Sequence, residues 1–493
     1  MAAIRFKCPN CSTNLSLPGA MAGHVVECRQ CGNPLLVPAA APAPEEPAAP
    51  APNPYAEEEE AAPNWWEDLP PEAEEGEAGA EEKPAAGKKQ ETEKRSVKRV
   101  WNKRVRRLLP LLLVAAAAIF GGIQGYAYYR KPPDILWEVS LGPPGSRTPM
   151  DAAAVPGGIL LGGVAAGKET MQDAWVALMD ASGKISWERF LGGDRLDAAQ
   201  AVTPTVGGGF AATGRSGFAN PLGGGGFLWV ASFGPSGTLQ WQNRQPYYGA
   251  SSGEGILPLP EGLFVAGWQH KEGTLLTKSR KRSLGLLLAN DGSLTWRTPF
   301  PGYGDETICG VGREKSGALV LAGFYRDPKD TTGLFLSRLK PWGEVVMKKA
   351  IPVPGLVSVE GMAVLPEGGF ALAGCIQGPE GDCDVWVARL DQAGELAWQT
   401  TLGGPGEDHA HDLALLPDGG LAVAGEKGSK TDGESRFFVV RFASWGWKRW
   451  EKAWGTTGRD RLLAVDADEA GRLVAVGTSG TGKPQGKVFL LGK

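Results

Sequence analysis

The C-terminal part of the chain repeats one pattern of hydrophobic and polar positions about every fifty residues. In each copy, a short apolar run ends in glycine and follows a glycine-bearing turn, as in LPEGGFALAG at 365–374 and LPDGGLAVAG at 416–425. A second apolar run follows, then another turn with glycine, and in most copies a Trp four residues after that glycine. Short apolar runs bounded by glycine-rich turns predict β-strands joined by hairpins.

The number of copies and the ends of the repeat region predict the architecture. The glycine-ended run occurs seven times, at 159–163, 210–214, 263–267, 319–323, 370–374, 421–425 and 473–477. Seven units of four strands predict an all-β, seven-bladed β-propeller over 134–493. ILWEVSLG at 135–142 matches the last strand of a unit, while KVFLLGK at 487–493 matches a third strand with no fourth after it. We therefore expect the first strand to complete the last blade, a closure that a linear solenoid does not need.

An uncharged apolar stretch, LLPLLLVAAAAIFGGIQGYAYY at 108–129, precedes the repeats. At about 1.5 Å per residue it spans roughly 33 Å, which predicts a single transmembrane helix rather than the alternative, a buried helix of a soluble protein. Residues 88–107 carry ten Lys or Arg, whereas Arg130 and Lys131 alone closely follow the stretch. The positive-inside rule then places the N-terminus in the cytoplasm and the propeller outside it.

Two further features flank or lie within this stretch. Residues 39–87 hold fourteen acidic side chains and one basic one, and their Ala, Pro and Glu content predicts a disordered linker. Ala117, Gly121 and Gly125 lie four residues apart, a spacing that permits a homodimer of helices but is also ordinary in membrane helices. We expect the basic segment to contact lipid headgroups, and no nucleic-acid partner is expected.

Four cysteines form the strongest motif. Cys8 and Cys11 make one CxxC pair, and Cys28 and Cys31 make another, in a unit spanning 1–38. Four thiolates in two such pairs suit tetrahedral structural zinc, the alternative being a redox CxxC. IRFKCPNCSTNLSLPGAMAGHVVECRQCGNPLLVP resembles the prokaryotic zinc-ribbon (zinc-finger/thioredoxin-putative) domain of bacterial membrane proteins, with Ser12 as a departure. The resemblance implies a zinc-stabilised module on these cysteines and a bacterial plasma (inner) membrane location, with the propeller in the periplasm.

The repeats also carry a resemblance. LGGPGEDHAHDLALLPDGGLAVAG and DVWVARLDQAGELAWQTTLGG are similar to bacterial extracytoplasmic propeller repeats of the seven-bladed (SBBP-type) and PQQ-like groups. This resemblance implies the fold and says little about function. The recurring Trp residues are interpreted as blade packing rather than as sugar-stacking platforms.

Candidate chemistry in the propeller consists of acidic residues, histidines and a cysteine pair. Asp197, Glu306, Asp408 and Asp460 fall thirteen residues before the glycine-ended runs, so they could ring one mouth of the central channel, or each could accept backbone N–H groups of its own turn. His409 and His411, beside Asp408 and Asp412, could hold a metal or belong to a solvated loop. Cys375 and Cys383 flank a hairpin and are expected to form a disulfide outside the cytoplasm.

These observations favour a non-enzymatic binding platform. We expect a membrane-anchored, extracytoplasmic propeller with a protein, glycan or small-molecule partner, and zinc as the structural cofactor of the cytoplasmic module. The alternative is a propeller enzyme, a hydrolase or quinone-type oxidoreductase, with its site at the channel mouth. The sequence shows no Ser-His-Asp arrangement, P-loop or repeated carboxylate pair that would identify such an enzyme.

Overall fold

The computed structural model describes four short segments near the N-terminus and most of the C-terminal region. The described residues are 3–7, 14–18, 25–27 and 34–36, and then 131–493 except 168–171, 194, 219–225, 246–249, 272–279, 301, 430–432 and 456–457. The chain divides into two compact units, residues 1–93 and 94–493.

The N-terminal unit contains two antiparallel hairpins. Strands β1 (Ala3–Lys7) and β2 (Asn14–Pro18) form the first, and β3 (Val25–Glu27) and β4 (Pro34–Leu36) form the second. Each hairpin brackets one of the two CxxC pairs in the sequence. The predicted zinc ligands Cys8, Cys11, Cys28 and Cys31 themselves lie outside the described residues.

Several predicted segments lie wholly outside the described residues. These are the acidic linker 39–87, the basic segment 88–107, and the apolar stretch 108–129 with its helix-pairing positions Ala117, Gly121 and Gly125. Among the residues that the structure describes, no helix is long and apolar enough to cross a membrane.

The C-terminal unit is a seven-bladed β-propeller built from seven four-stranded antiparallel sheets. In each blade the first strand is innermost, because it contacts the first strand of the next blade around the whole ring. Blades 1 to 3 comprise β6 (Arg147–Val155), β7 (Gly158–Ala166), β8 (Gln172–Asp180) and β9 (Ile185–Leu191); β10 (Leu196–Pro204), β11 (Phe210–Phe218), β12 (Phe227–Phe233) and β13 (Leu239–Gln245); and β14 (Ser251–Leu259), β15 (Gly262–Lys271), β16 (Arg280–Ala289) and β17 (Leu294–Pro299).

The remaining four blades continue the same order. Blades 4 to 6 comprise β18 (Asp305–Arg313), β19 (Leu319–Arg326), β20 (Thr332–Leu339) and β21 (Val345–Pro352); β22 (Leu356–Val364), β23 (Phe370–Gln377), β24 (Cys383–Leu390) and β25 (Leu396–Leu402); and β26 (Asp408–Leu415), β27 (Leu421–Gly428), β28 (Ser435–Phe442) and β29 (Lys448–Trp454). Blade 7 comprises β30 (Arg461–Ala467), β31 (Leu473–Ser479), β32 (Gln485–Leu491) and β5 (Ile135–Ser140).

Blade 7 confirms the predicted closure. Its outermost strand is β5, which pairs antiparallel with β32 in a register that places Trp137 opposite Leu490. The first propeller strand of the chain therefore completes the sheet that the C-terminus began. This pairing satisfies the edge of β32 and joins the ends of the ring.

The apolar core lies between neighbouring sheets. The second and third strands of each blade are buried on both faces, so they read as continuous apolar runs rather than as an alternation. Leu160 and Val176 of blade 1, for example, share one cluster with Ala212 and Trp229 of blade 2. Each blade thus depends on its neighbours for burial of its apolar faces.

The recurring Trp residues pack between blades, as interpreted from their spacing. The Trp241 ring of blade 2 lies against the turn glycine Gly292 of blade 3, where a Cβ atom would come within 2.6 Å of the ring. Trp241 also donates its Nε1–H to the Asn290 carbonyl at 2.8 Å. Trp296 repeats this contact with Gly343 and donates to the Pro341 carbonyl at 2.9 Å. A glycine is needed in these turns because a side chain would collide with the preceding blade's indole.

Candidate functional site

Each innermost strand has an irregularity of the β-bulge type in its pairing with the second strand. In β26, for example, Ala410 pairs with Gly425 and Asp412 pairs with Ala424, so His411 is skipped. The residues skipped at the equivalent position of the seven blades are Met150, Gln200, Glu254, Cys309, Glu360, His411 and Leu463. Strands β10 and β22 each skip one further residue, Asp197 and Val357. A bulge redirects the side chain of the extra residue, so the same device operates seven times around the ring.

The glycine that ends each repeated run accompanies this bulge. A Cβ atom at Gly425 would lie 1.8 Å from the backbone oxygen of His409, and one at Gly374 would lie 2.1 Å from that of Ser358. The equivalent glycines show the same approach of 1.9–2.1 Å to an inner-strand carbonyl: Gly163, Gly214, Gly267, Gly323 and Gly477. The repeated glycine is therefore required because the bulged inner strand passes directly over its α-carbon.

The seven residues skipped at this equivalent position line one cavity of about 540 Å³. The inner strands of all seven blades contribute to it, so it occupies the centre of the ring. The chemistry of its wall is uneven. Asp151, Glu254, Glu360 and Asp412 contribute carboxyl groups and His411 an imidazole, whereas Lys and Arg are absent from the described lining residues.

His411 is held between two carboxylates from different blades. Its Nδ1 lies 3.5 Å from Glu360 Oε2 of blade 5, and its Nε2 lies 3.4 Å from Glu426 Oε1 on β27 of its own blade. Burial alone would lower the pKa of His411, but its contacts with Glu360 and Glu426 outweigh burial and raise it to about 9. The pKa of Glu426 falls to about 2, since hydrogen bonding to His411 and Ser435 outweighs the raising effect of burial. The ring is therefore an imidazolium at neutral pH.

Two cavity-lining aspartates fasten neighbouring blades. Asp412 accepts the N–H groups of Leu413 at 2.7 Å and, across the blade boundary, of Val465 at 2.8 Å. Asp151 does the same with Ala152 at 2.8 Å and Val202 at 2.7 Å. These carboxylates thus contribute both to ring closure and to the chemistry of the cavity wall.

Burial also changes the titration of these wall carboxyl groups. Burial raises the pKa of Asp151 to about 7, even though its two N–H donors lower it. Burial also raises the pKa of Asp412 well above its usual range. Burial raises the pKa of Glu254, which accepts the Trp268 Nε1–H at 2.8 Å. Perturbed carboxyl groups gathered around one cavity are typical of a functional site.

The four aligned carboxylates predicted from the sequence lie elsewhere. Asp197 accepts backbone N–H groups of Gly193 at 3.3 Å and Gly217 at 3.0 Å. Asp408 accepts the Gly428 N–H at 2.8 Å. Both side chains are buried in their own blades and are not among the residues that line the cavity. The sequence left two roles open for these residues, at the channel mouth or as acceptors of backbone N–H groups. In the structure both residues have the second role.

Glu306 and Asp460 are likewise buried outside the cavity lining. Glu306 accepts hydrogen bonds from Tyr303 N at 2.8 Å and from the Ser283 hydroxyl of blade 3, and it pairs with Lys348 Nζ at 2.8 Å. Asp460 lies against Gly455, where a Cβ atom would come within 2.1 Å of its Oδ2. Of the six predicted channel contacts, His411 alone lines the cavity.

The two predicted histidines lie together but do not share a metal-binding cluster. The rings of His409 and His411 are stacked with centroids 5.8 Å apart, as residues on the same side of a strand. In the part of the chain that the structure describes, the metal-ligating group that converges is Cys375, Cys383 and His409. Asp412 instead uses both carboxylate oxygens on backbone N–H groups.

A sequence signal for the cavity wall exists. Each of these seven residues stands thirteen or fourteen positions before its repeat glycine, yet the positions hold six different residue types, with Glu in blades 3 and 5. Aligning the repeats on the glycine would have exposed this variable column. The carboxylates that recur in register, by contrast, share a structural role.

A second cavity lies at the seam between blades 7 and 1. It has a volume of about 370 Å³ and is lined by Trp137, Leu490 and the turns at 155–158 and 467–470. It lacks the convergent buried carboxyl groups of the central cavity, so we take the central cavity as the candidate ligand site.

Comparisons with known proteins concern the fold. No protein-family profile matches the chain, and no curated protein sequence matches it. Similar solved structures include the WD40 domain of Neurospora crassa Pan2 (TM-score 0.47, 10% identity, covering 73% of this chain and 96% of that one). They also include Chaetomium thermophilum Raptor (TM-score 0.48, 9% identity, covering 75% of this chain and 30% of that one). Puromycin hydrolase is a third (TM-score 0.43, 14% identity, covering 71% of this chain and 55% of that one). Likenesses at these identities and TM-scores carry no argument about function.

Proposed function

We propose that the chain is a single-pass membrane protein whose propeller is a binding platform outside the cytoplasm, with the central cavity as its ligand site. One observation carries this proposal: seven similar repeats direct seven side chains of six residue types into one cavity of about 540 Å³. Positions that serve packing alone are alike from blade to blade, as the repeat glycines are. Unlike side chains that converge on one cavity are typical of ligand recognition.

The wall favours a ligand that donates hydrogen bonds or carries positive charge. Glu360 and Glu426 neutralise the His411 imidazolium, and the other wall carboxyl groups, Asp151, Glu254 and Asp412, have pKa values that burial raises and that a bound cation would lower. Met150 and Leu463 add an apolar part to the wall. A lysine or arginine side chain of a partner protein, or a small aliphatic amine, has this combination of a cationic end and an apolar stem. A glycan, the other partner class predicted, lacks the cationic end.

The N-terminal part of the proposal rests on the sequence. Ten basic residues before the stretch 108–129 support a cytoplasmic N-terminus, and the two CxxC pairs support one structural zinc. Protease added to spheroplasts with an intact inner membrane is then expected to degrade the propeller and spare the ribbon. Purified full-length protein is expected to contain one zinc per chain, lost in the Cys8→Ser/Cys11→Ser variant.

The ligand site is tested by filling the cavity. Gln200→Trp places a large ring at a cavity-facing bulge, whereas Ala393→Trp places one on an exposed turn where blades 4 and 6 already carry Trp342 and Trp445. Full-length protein in nanodiscs is titrated calorimetrically with a lysine-rich peptide and with spermidine. We expect binding by the wild type and by Ala393→Trp, and at least about tenfold weaker binding by Gln200→Trp.

A glutamate-rich peptide of equal length serves as the probe of opposite charge. Stronger binding of that peptide, or equal binding by the two Trp variants, would contradict a cation-selective site in the central cavity.

A further inference from the structure

Three metal-ligating side chains converge at the boundary between blades 5 and 6. The Sγ atoms of Cys375 on β23 and Cys383 on β24 and a ring nitrogen of His409 on β26 all lie within 4.8 Å of one another. The two cysteines are paired as a disulfide, with their Cα atoms 5.7 Å apart. Both are buried, whereas the His409 side chain is 29% exposed. The group is thus reachable from the His409 side.

A fourth oxygen ligand stands beside this group. Glu407 Oε2 lies 3.4 Å from His409 Nε2 and accepts the Cys383 N–H at 3.2 Å. The Glu407 side chain is 67% exposed, so its carboxylate can turn toward or away from the group. Two sulfurs from blade 5 therefore face one imidazole and one carboxylate from blade 6.

The distances suit a tetrahedral metal site once the sulfurs are reduced. Metal–ligand bonds of about 2.0–2.3 Å place neighbouring ligand atoms about 3.3–3.8 Å apart in a tetrahedron. The three atoms already lie within a short side-chain adjustment of that spacing. The disulfide form offers no thiolate charge and so no strong ligand, which makes metal binding and disulfide bonding mutually exclusive.

We propose that reduction of the Cys375–Cys383 disulfide opens a binding site for a thiophilic divalent cation, ligated by both thiolates and by His409. A dithiol reductant supplies two electrons and two protons and itself becomes a disulfide, leaving Cys375 and Cys383 as thiols. Binding of the cation then displaces one proton from each thiol. Glu407 or a solvent molecule completes the coordination. This site is separate from the central cavity and extends beyond the proposed function.

The test uses Co²⁺ as the probe, because a tetrahedral thiolate site gives it a near-ultraviolet sulfur-to-cobalt charge-transfer band. The ribbon is silenced in the full-length chain by Cys8→Ser, Cys11→Ser, Cys28→Ser and Cys31→Ser. We expect about one equivalent of Co²⁺ to bind with this band after phosphine reduction, and none before it. Mass spectrometry after alkylation checks that Cys375 and Cys383 are blocked before reduction and labelled after it.

Two histidine variants in the same background separate ligation from general effects. His409→Ala is expected to weaken Co²⁺ binding at least about tenfold, while His270→Ala, on β15, is expected to leave it unchanged. A band in unreduced protein, no band after reduction, or equal binding by His409→Ala overturns the proposal. A reduced chain that loses its cooperative thermal transition overturns it too, because an unfolded chain cannot present the site.

Discussion

Asp466 and Ala154 lie 312 residues apart in the chain, yet the Asp466 carboxylate accepts the Ala154 N–H at 2.8 Å. This hydrogen bond joins the innermost strands of blades 7 and 1. The pairing of β5 with β32 completes blade 7 at its outer edge. The last blade is therefore fastened both within its own sheet and across the innermost boundary with blade 1.

Removal of the Asp466 carboxylate is expected to weaken the seam. In Asp466→Ala, the N–H groups of Ala154 and Ala467 lose their acceptor, which costs about 1–3 kcal/mol of unfolding free energy. Urea unfolding of the full-length protein measures this. Asp391→Ala removes an acceptor from an exposed turn and is expected to change stability by about 0.5 kcal/mol or less. Equal losses in the two variants would contradict a closing role for Asp466.

A methyl group at a repeat glycine is expected to disturb the bulge. In Gly425→Ala, the Cβ atom would meet the His409 backbone oxygen at 1.8 Å, so the inner strand must move, at a cost of about 1–3 kcal/mol or more. Gly207→Ala is the matched control, because nothing lies within 4 Å of its Cβ position. Thermal unfolding should show a lower Tm for Gly425→Ala alone. A normal Tm for this variant would mean that the bulge relaxes freely.

The Glu306–Lys348 pair is expected to behave as a coupled buried unit. Glu306 is fully buried and the Lys348 side chain is 9% exposed, so Glu306→Gln leaves a poorly solvated ammonium and costs about 3–5 kcal/mol. Glu306→Gln/Lys348→Met is expected to regain part of this loss. A double-mutant cycle from urea unfolding measures the coupling. Strictly additive losses would show that the two charges do not depend on each other.

His411 is expected to make stability depend on alkaline pH. The folded-state pKa of about 9 lies above the ordinary value of 6.5, so the imidazolium stabilises the fold fully below pH 6.5. This contribution disappears as pH rises through 9. His411→Gln should reduce this slope in urea midpoints measured between pH 7 and pH 9, above the titration of Asp151 and below that of an exposed Cys309 thiol, while His270→Gln should retain it. A wild-type midpoint that stays constant over this range would contradict the raised pKa of His411.

The repeat pattern allowed the propeller to be predicted because each blade carries the same local requirements. Three features recur about every fifty residues: turn glycines, apolar second and third strands, and, in most repeats, a Trp on the fourth strand. Each reflects packing within a blade or against the next blade. The closure by β5 was also predictable, because the repeat region begins with a lone fourth strand and ends with a third strand that has no fourth strand after it.

The central cavity was not predictable in the same way. Asp197 and Asp408 were predicted as channel-mouth contacts because they recur in register, and in the structure they accept hydrogen bonds from backbone N–H groups. Glu360 and His411 meet in the cavity from different blades, at positions that hold six residue types in seven repeats. The residues that recur are therefore structural, while most cavity-facing residues differ from copy to copy.

The chain sequence by itself determined the strands, the blade count and the order of closure, because these depend on periodic apolar burial and on local turn geometry. Which side chains share a cavity, and which cysteines approach which histidine, was decided by the tertiary structure. A bulge in a strand redirects the side chain of its extra residue, and which residue this is depends on how the strand pairs in the sheet. Contacts such as that of Asp466 with Ala154 exist only once the ring has closed. Such proximity depends on the curvature of the whole ring, which no local pattern encodes.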